Sequence, residues 1–230
     1  IVTATVTSAR RFPSTSCEIQ HLLGISPKGR EFWSFDIGAA CAGYLVAMGN
    51  ADTLLRALSL HALVAVGVEK LTDIVDMEDA NAPLFGDGAG ASVLVSSSYL
   101  AEHSYHGLTG VLRATYVTSD TDGDHLMAIH SDDEKKLRMR DGDRVMRFAT
   151  RSMVHAARKI KEKTGWTNDV LDLMIPHQAN MRILEAVARA SDLPMDKVYV
   201  NIDKYGNMSS ATCAIAHSEA LREGRIREGS

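Results

Sequence analysis

Cysteine is scarce in this chain: three in 230 residues, Cys17, Cys41 and Cys213, widely separated and without metal-ligand spacing. An odd, dispersed set excludes a disulfide framework and a zinc knuckle, and it fits free thiols in a reducing cytoplasm. A strong charge of either sign is also lacking. The net charge is −4 with acids and bases interspersed, which leaves no electrostatic footprint for nucleic acid or for an anionic membrane. The longest apolar run, "LHALVAVGV" from Leu60, is too short to cross a bilayer. There is no low-complexity linker and no initiator Met. The chain opens directly on a strand pattern, "IVTATVTS", and closes on a turn-like "REGRIREGS" after a helix. Both ends read as those of a fragment.

What is present is ordinary for a soluble globular protein, 45% hydrophobic and 23% charged, and long enough to bury a substantial core. Strand-like and helix-like segments alternate. Residues 1–7 read as a strand, "TSCEIQHLL" as a short helix closed by Gly24, "FWSFDI" as a strand and residues 41–60 as a helix. "ALVAVGVE" is a buried strand, and "FGDGAGASVLV" a glycine turn feeding another. Residues 108–140 read as strands and turns, "GVLRATYV" being the clearest strand. A long helix follows "RDGD", with Val145, Phe148, Met153 and Ile160 on one face. "VLDLMI" and "KVYVNI" read as strands, each followed by a helix. Alternation of this kind predicts an α/β architecture with mainly parallel sheets. The polar stretch near 98–107 is the expected internal boundary.

Three strand-to-helix junctions carry residues with chemistry: Cys41 in "DIGAACAGY", His177 in "MIPHQAN" and Asn207 in "DKYGNMSSAT". Ligands of open α/β sheets gather at the carboxyl ends of strands, so the three are candidates for one pocket. Taken singly, each has a plainer reading: Cys41 as a small packing residue, His177 as a hydrogen-bonded strand end, and Gly206-Asn207 as a turn. At a helix N-terminus a cysteine is biased toward thiolate, and a thiolate attacks thioester or peptide carbonyls. Cys, His and Asn in this order occur in papain-like cysteine hydrolases, and His177 follows Cys41 at the papain-like interval of ~130–150 residues. The papain signature around the cysteine is absent, however, and so are the framework cysteines of a secreted protease.

"DIGAACAGYLVAM", "FGDGAGASVLV", "PHQANMRI" and "YGNMSSAT" together resemble the β-ketoacyl-acyl-carrier-protein synthase III family of condensing enzymes. The resemblance covers nearly the whole chain. It implies a thiolase-like layered α-β-α-β-α fold built from two similar halves, with mainly parallel mixed sheets. Residues 1–100 would be the remainder of the N-terminal half, and residues 101–230 a C-terminal half missing its last strand. By resemblance, Cys41 takes an acyl group from a thioester, usually acyl-CoA. Malonyl-acyl carrier protein then decarboxylates and attacks it, while His177 and Asn207 stabilise the enolate oxygen. Two neutral donors aimed where charge develops lower that barrier most. The resemblance further implies a cytoplasmic homodimer with acyl carrier protein as partner, and neither a permanently bound cofactor nor a metal.

Other correspondences are less specific. Phe85 matches a residue lining the acyl pocket, Phe12 one that reaches across the dimer, and Arg182 one that docks the acidic carrier protein. Plainer readings stand beside them, a core Phe for Phe85 and a solvated Arg for Arg182. Cys17 and Cys213 read as packing residues. Two departures stand out. Where many members carry Asp-Arg before the "FGDGAG" loop, this chain has Asp79-Ala80, which removes a coenzyme A contact. Where Met-Asp-Gly is common, it has Arg140-Asp141-Gly142, which favours a short or polar starter. These leave open a same-fold acyltransferase, or a condensing enzyme of secondary metabolism with a different acyl donor.

Overall fold

The computed structural model describes residues 1–25, 32–119, 127–129, 136–139 and 141–230. Its centre is a four-stranded sheet of β1 (Val2–Ala4), β2 (Phe35–Ile37), β3 (Ala62–Lys70) and β4 (Asp87–Val95) in the order β2-β1-β3-β4. β1 runs parallel to both neighbours, with Val2 opposite Phe35 and Ala65. β3 and β4 form an antiparallel pair from Ala62↔Val95 to Lys70↔Asp87. The first strand is shorter than residues 1–7. Beyond Ala4 and Thr5 the backbone leaves the ladder, and the Val6 N–H bonds the Glu69 carboxylate at 3.1 Å.

The pleat of β1 sends successive side chains to opposite faces. Thr3 meets α1 (Thr15–Leu22), where the Ser16 hydroxyl donates to Thr3 Oγ1 at 2.7 Å. Val2 and Ala4 meet α2 (Gly43–Ala57), whose Ala47 and Ala51 are fully buried against them with Leu55, Leu63 and Ala65. Small residues on α2 bring helix and sheet close, and each large apolar side chain buried there contributes roughly 1.5–3 kcal/mol. The C-terminal helix α7 (Thr212–Arg222) lies beside α2, where Tyr44 packs with Cys213 and Ala214. Gly67 on β3 permits this approach: a Cβ there would fall 2.5 Å from the Ser210 carbonyl oxygen.

After the short helix α3 (Ser97–Glu102), the strands β5 (Met127–Ile129) and β6 (Leu137–Met139) pair antiparallel. The long helix α4 (Gly142–Thr164) starts where the Asp141 side chain accepts the Arg144 N–H and stops at Gly165, φ 74°. It packs on α5 (Met181–Ala190), capped by Asn180, and a short α6 (Ile202–Tyr205) precedes the turn into α7. Among the described residues no helix is long and apolar enough to cross a membrane.

Three expected strands differ. "GVLRATYV" forms none: instead of entering a ladder, the Thr115 carbonyl accepts from Lys163 and Tyr116 Oη meets His155 Nε2 at 2.9 Å, both on α4. "VLDLMI" and "KVYVNI" meet only at one parallel bridge, Met174↔Val198, with the Met174 N–H on Lys197 O and the Tyr199 N–H on Met174 O. Their β-propensity is real, but a strand forms only as far as a partner backbone accepts it. Arg140 lies outside the described residues, as does much of 120–135.

Candidate active site

Cys41 stands four residues beyond the end of β2. Ala40 takes φ 43°, a left-handed conformation that costs a side-chain-bearing residue roughly 1–3 kcal/mol. That reversal turns the chain into the 3-10 turn Ala40–Ala42, which leads directly into α2. The second half repeats the device. Ser209 takes φ 46°, opens the 3-10 turn Ser209–Ala211, and leads into α7. Ser210 occupies the place that Cys41 holds in the first turn. Its buried hydroxyl donates to the Ala4 carbonyl at 3.0 Å and so ties the second junction to β1.

His177 follows the Met174 bridge. Its loop is held by the fully buried Gln178, whose amide donates to the Pro176 and Tyr199 carbonyls and whose Oε1 accepts the Asn201 N–H. The ring Nδ1 lies 2.6 Å from Thr212 Oγ1. Asn207 is pinned on both sides: its N–H donates to Leu84 O at 2.7 Å and its carbonyl accepts the Gly86 N–H at 3.0 Å. Gly206 before it combines φ 68° with a close pass over the Leu84 carbonyl, so a side chain there would be both strained and crowded. The Asn207 Oδ1 accepts the Ser209 N–H at 2.9 Å, which leaves the amide NH₂ to donate elsewhere.

His177 and Ser209 face the thiol. Burial pushes the Cys41 thiol up, but the facing His177 and hydrogen bonds from His177 and Ser209 outweigh it and hold the group below its ordinary value. Glu69, buried on β3, acts in the opposite direction. A half-buried thiol of depressed pKa beside a histidine has the chemistry that nucleophilic attack requires.

Comparison with known proteins shows the family to which the chain belongs. The family described as 3-oxoacyl-[acyl-carrier-protein (ACP)] synthase III matches residues 35–110, and its C-terminal part matches residues 161–230. The β-ketoacyl-[acyl-carrier-protein] synthase III of Aquifex aeolicus is 38% identical over the whole of this chain and 69% of its own length. The chain belongs to the synthase III family. The crystal structure of 3-oxoacyl-[acyl-carrier-protein] synthase III from Aquifex aeolicus superposes with a TM-score of 0.87 at 37% identity, over 100% of this chain and 70% of that one. A priming β-ketosynthase from a polyketide biosynthetic pathway superposes at 0.81 with 32% identity, over 100% and 68%. The fold is therefore that of the thiolase-like condensing enzymes.

In this synthase III chain the less specific residues are dispersed. Phe85 is half-buried against Leu71, Val75 and Ala82, and its backbone bridges Asn207. Phe12 is 84% exposed, and Arg182 is exposed in the first turn of α5. Ala80 lies exposed in a turn beside Asp79, whose carboxylate accepts the N–H groups of Asn81 and Met139. Cys213 is buried, and desolvation pushes its thiol up to about 12. Cys17 is not a packing residue: it lies on the exposed side of α1 with Sγ 3.2 Å from Ser14 Oγ, because Ser16 supplies the buried contact. Among the described residues no cluster of three metal-ligating side chains occurs. Sequence reasoning missed Thr212, Ser209 and Glu69. The first two lie inside the quoted "YGNMSSAT", but nothing in the one-dimensional pattern shows which hydroxyl faces the histidine.

Proposed function

We propose that Cys41, His177 and Asn207 carry out a two-stage acyl transfer and decarboxylative Claisen condensation, the β-ketoacyl-acyl-carrier-protein synthase III reaction. The observation that carries this reading is the packing of the strained turn Ala40–Ala42, which bears Cys41, against the turn Ser209–Ala211, beside which Thr212 Oγ1 lies 2.6 Å from His177 Nδ1. Cys41 Sγ attacks the carbonyl of an acyl thioester. The carbon–sulfur bond of the donor breaks, and the donor thiolate leaves and takes a proton from solvent. The Cys41 N–H, at the start of the turn into α2, is placed to serve the oxyanion of this step. Malonyl-acyl carrier protein then loses carbon dioxide, and the electron pair passes to its thioester oxygen, where the His177 ring and the Asn207 amide donate. The enolate carbon attacks acyl-Cys41, releasing the β-ketoacyl product and the thiolate. Every bond change is served by side chains and backbone, without a resident cofactor or metal.

The finer assignments follow from the same reading. Acyl-CoA is the proposed donor, and Phe85, fixed beside Asn207, borders the acyl site. Arg182 presents a cation to the acidic carrier protein. Among the described residues β4 is an edge strand, with Val93 66% and Val95 37% exposed, and Phe12 is more exposed still. An apolar edge of this kind suits a second copy of the chain, which makes a homodimer the proposed assembly. Free thiols, one of them exposed, suit the cytoplasm. A second reading, the same chemistry with a donor other than acyl-CoA, is favoured by Ala80 alone. Both are tested by intact mass spectrometry: incubation with acetyl-CoA should add one acetyl group at Cys41, and malonyl-acyl carrier protein should then discharge it as β-ketoacyl product. Discharge without carbon dioxide release would assign a plain acyltransferase instead. Acylation from acyl-carrier protein but not from acyl-CoA would assign the second reading.

A further inference from the structure

The Thr212 hydroxyl has two neighbours and a single hydrogen. Its Oγ1 lies 2.9 Å from the Ser209 carbonyl oxygen, which also accepts the Thr212 N–H, and 2.6 Å from His177 Nδ1. Thr212 is fully buried, so water offers no alternative partner. Each close pair needs a hydrogen between its heavy atoms. A carbonyl oxygen can only accept, so the oxygen–oxygen pair is served only by the hydroxyl hydrogen. The ring–hydroxyl pair is then left to the ring, which must carry its proton on Nδ1. One assignment satisfies both contacts.

We propose that Thr212 is the positioning residue that holds a proton on His177 Nδ1 and thereby makes Nε2 the single working nitrogen toward Cys41 and the incoming thioester. The inference deepens the proposed function and rests on its assignment of Cys41 and His177 as the reacting groups. With Nδ1–H bound to Thr212, the neutral ring presents a lone pair at Nε2, which takes the Cys41 S–H proton and leaves a thiolate beside an imidazolium. Acylation consumes the thiolate, and the departing donor thiolate is protonated by solvent, so Nε2–H stays in place. That N–H then donates to the malonyl thioester oxygen as carbon dioxide leaves. Product release returns Cys41 as thiolate, and the ion pair is restored with no further proton transfer. In this proposal His177 acts in the decarboxylation as a charged donor, in place of the neutral donor expected from the sequence, and a charged donor binds an enolate oxygen more strongly than a neutral one. The other titratable groups facing the pair are Glu69 from β3 and Cys213 from α7.

The test compares Thr212→Val, which keeps the shape and removes the hydroxyl, with Thr212→Ser, which keeps the hydroxyl. The rate of Cys41 alkylation by iodoacetamide is followed against pH in each, located by peptide mass spectrometry. Losing the acceptor of Nδ1–H should move the Thr212→Val midpoint upward by about one unit or more, and Thr212→Ser should restore the original profile. Histidine ¹⁵N spectra of the unaltered protein, with His177 assigned through His177→Ala, should show a protonated Nδ1 across the whole range. An unprotonated Nδ1, or a Thr212→Val midpoint equal to or below that of the unaltered protein, would overturn the inference. The spectra decide it even if Thr212→Val fails to fold. Normal acetylation of Cys41 alongside either of those results would leave the proposed function standing. A Cys41 that takes no acyl group from any thioester would sink both.

Discussion

Asn207 uses its side-chain oxygen on its own chain: Oδ1 accepts the Ser209 N–H at 2.9 Å. The bond sets which end of the amide is free. Because the oxygen is engaged within the loop, the NH₂ group is the end left free, and a donor is what the proposed role at an enolate oxygen requires.

Two substitutions should separate these duties. Asn207→Asp keeps an acceptor for Ser209 but has no NH₂, so its melting temperature should stay near that of the unaltered protein. Carbon dioxide release from malonyl-acyl carrier protein should fall about 100- to 1000-fold. Asn207→Ala loses both duties and should also melt several degrees lower. Equal melting of the two variants, measured by calorimetry, would show that the Ser209 contact contributes nothing to the loop.

The three thiols should label in a fixed order. Cys41 combines partial access with a depressed pKa, so iodoacetamide should modify it first, with appreciable reaction below the ordinary thiol range. Cys17 is exposed and should follow, whereas Cys213 is buried with its thiol near 12 and should react only on unfolding. Time-resolved peptide mapping at neutral pH reads the order directly.

Cys213 also predicts an alkaline weakness. A thiol raised to about 12 when folded ionises near its ordinary value of 9.0 when unfolded. Between these values the unfolded chain holds fewer protons, so stability falls as pH rises. Denaturant titrations from pH 8 to 11 should show that decline, and Cys213→Ala should flatten its slope while lowering stability at pH 8 through lost packing. An unchanged slope would place the alkaline titration elsewhere.

Gly67 on β3 faces the turn Ser209–Ala211 at close range. A Cβ there would lie 2.5 Å from the Ser210 carbonyl oxygen and 3.1 Å from Tyr44 Cβ, and a backbone carbonyl cannot rotate away as a side chain can. Gly67→Ala should therefore cost at least about 1–3 kcal/mol. Because the displaced segment carries Ser209, it should slow Cys41 alkylation at neutral pH as well. A stable Gly67→Ala protein with normal Cys41 reactivity would show that the two turns can separate without loss.

Cys41, His177 and Asn207 could be singled out as candidates from the sequence because each belongs to a local strand-turn-helix pattern whose small residues and punctuation survive in one dimension. The long helices were legible in their placement, and the structure fixes their ends locally, at the Asp141 cap, the Asn180 cap and Gly165. Only the tertiary structure decided what depends on partners far along the chain. "GVLRATYV", "VLDLMI" and "KVYVNI" have strand composition, yet their hydrogen bonds are settled by which backbone or side chain lies alongside. Cys17 and Cys213 have similar helical settings in sequence, but one faces outward and the other is sealed between α2 and α7. The convergence of the two left-handed turns, and the choice of Thr212 rather than Ser209 or Ser210 as the neighbour of His177 Nδ1, were settled the same way. They rest on contacts such as that of Ser210 with Ala4 across 206 positions. Local patterns choose the residue types and the turns that present them. Long-range packing alone determines which of them face one another, because a hydrogen bond or a close contact is made by separation in space and not along the chain.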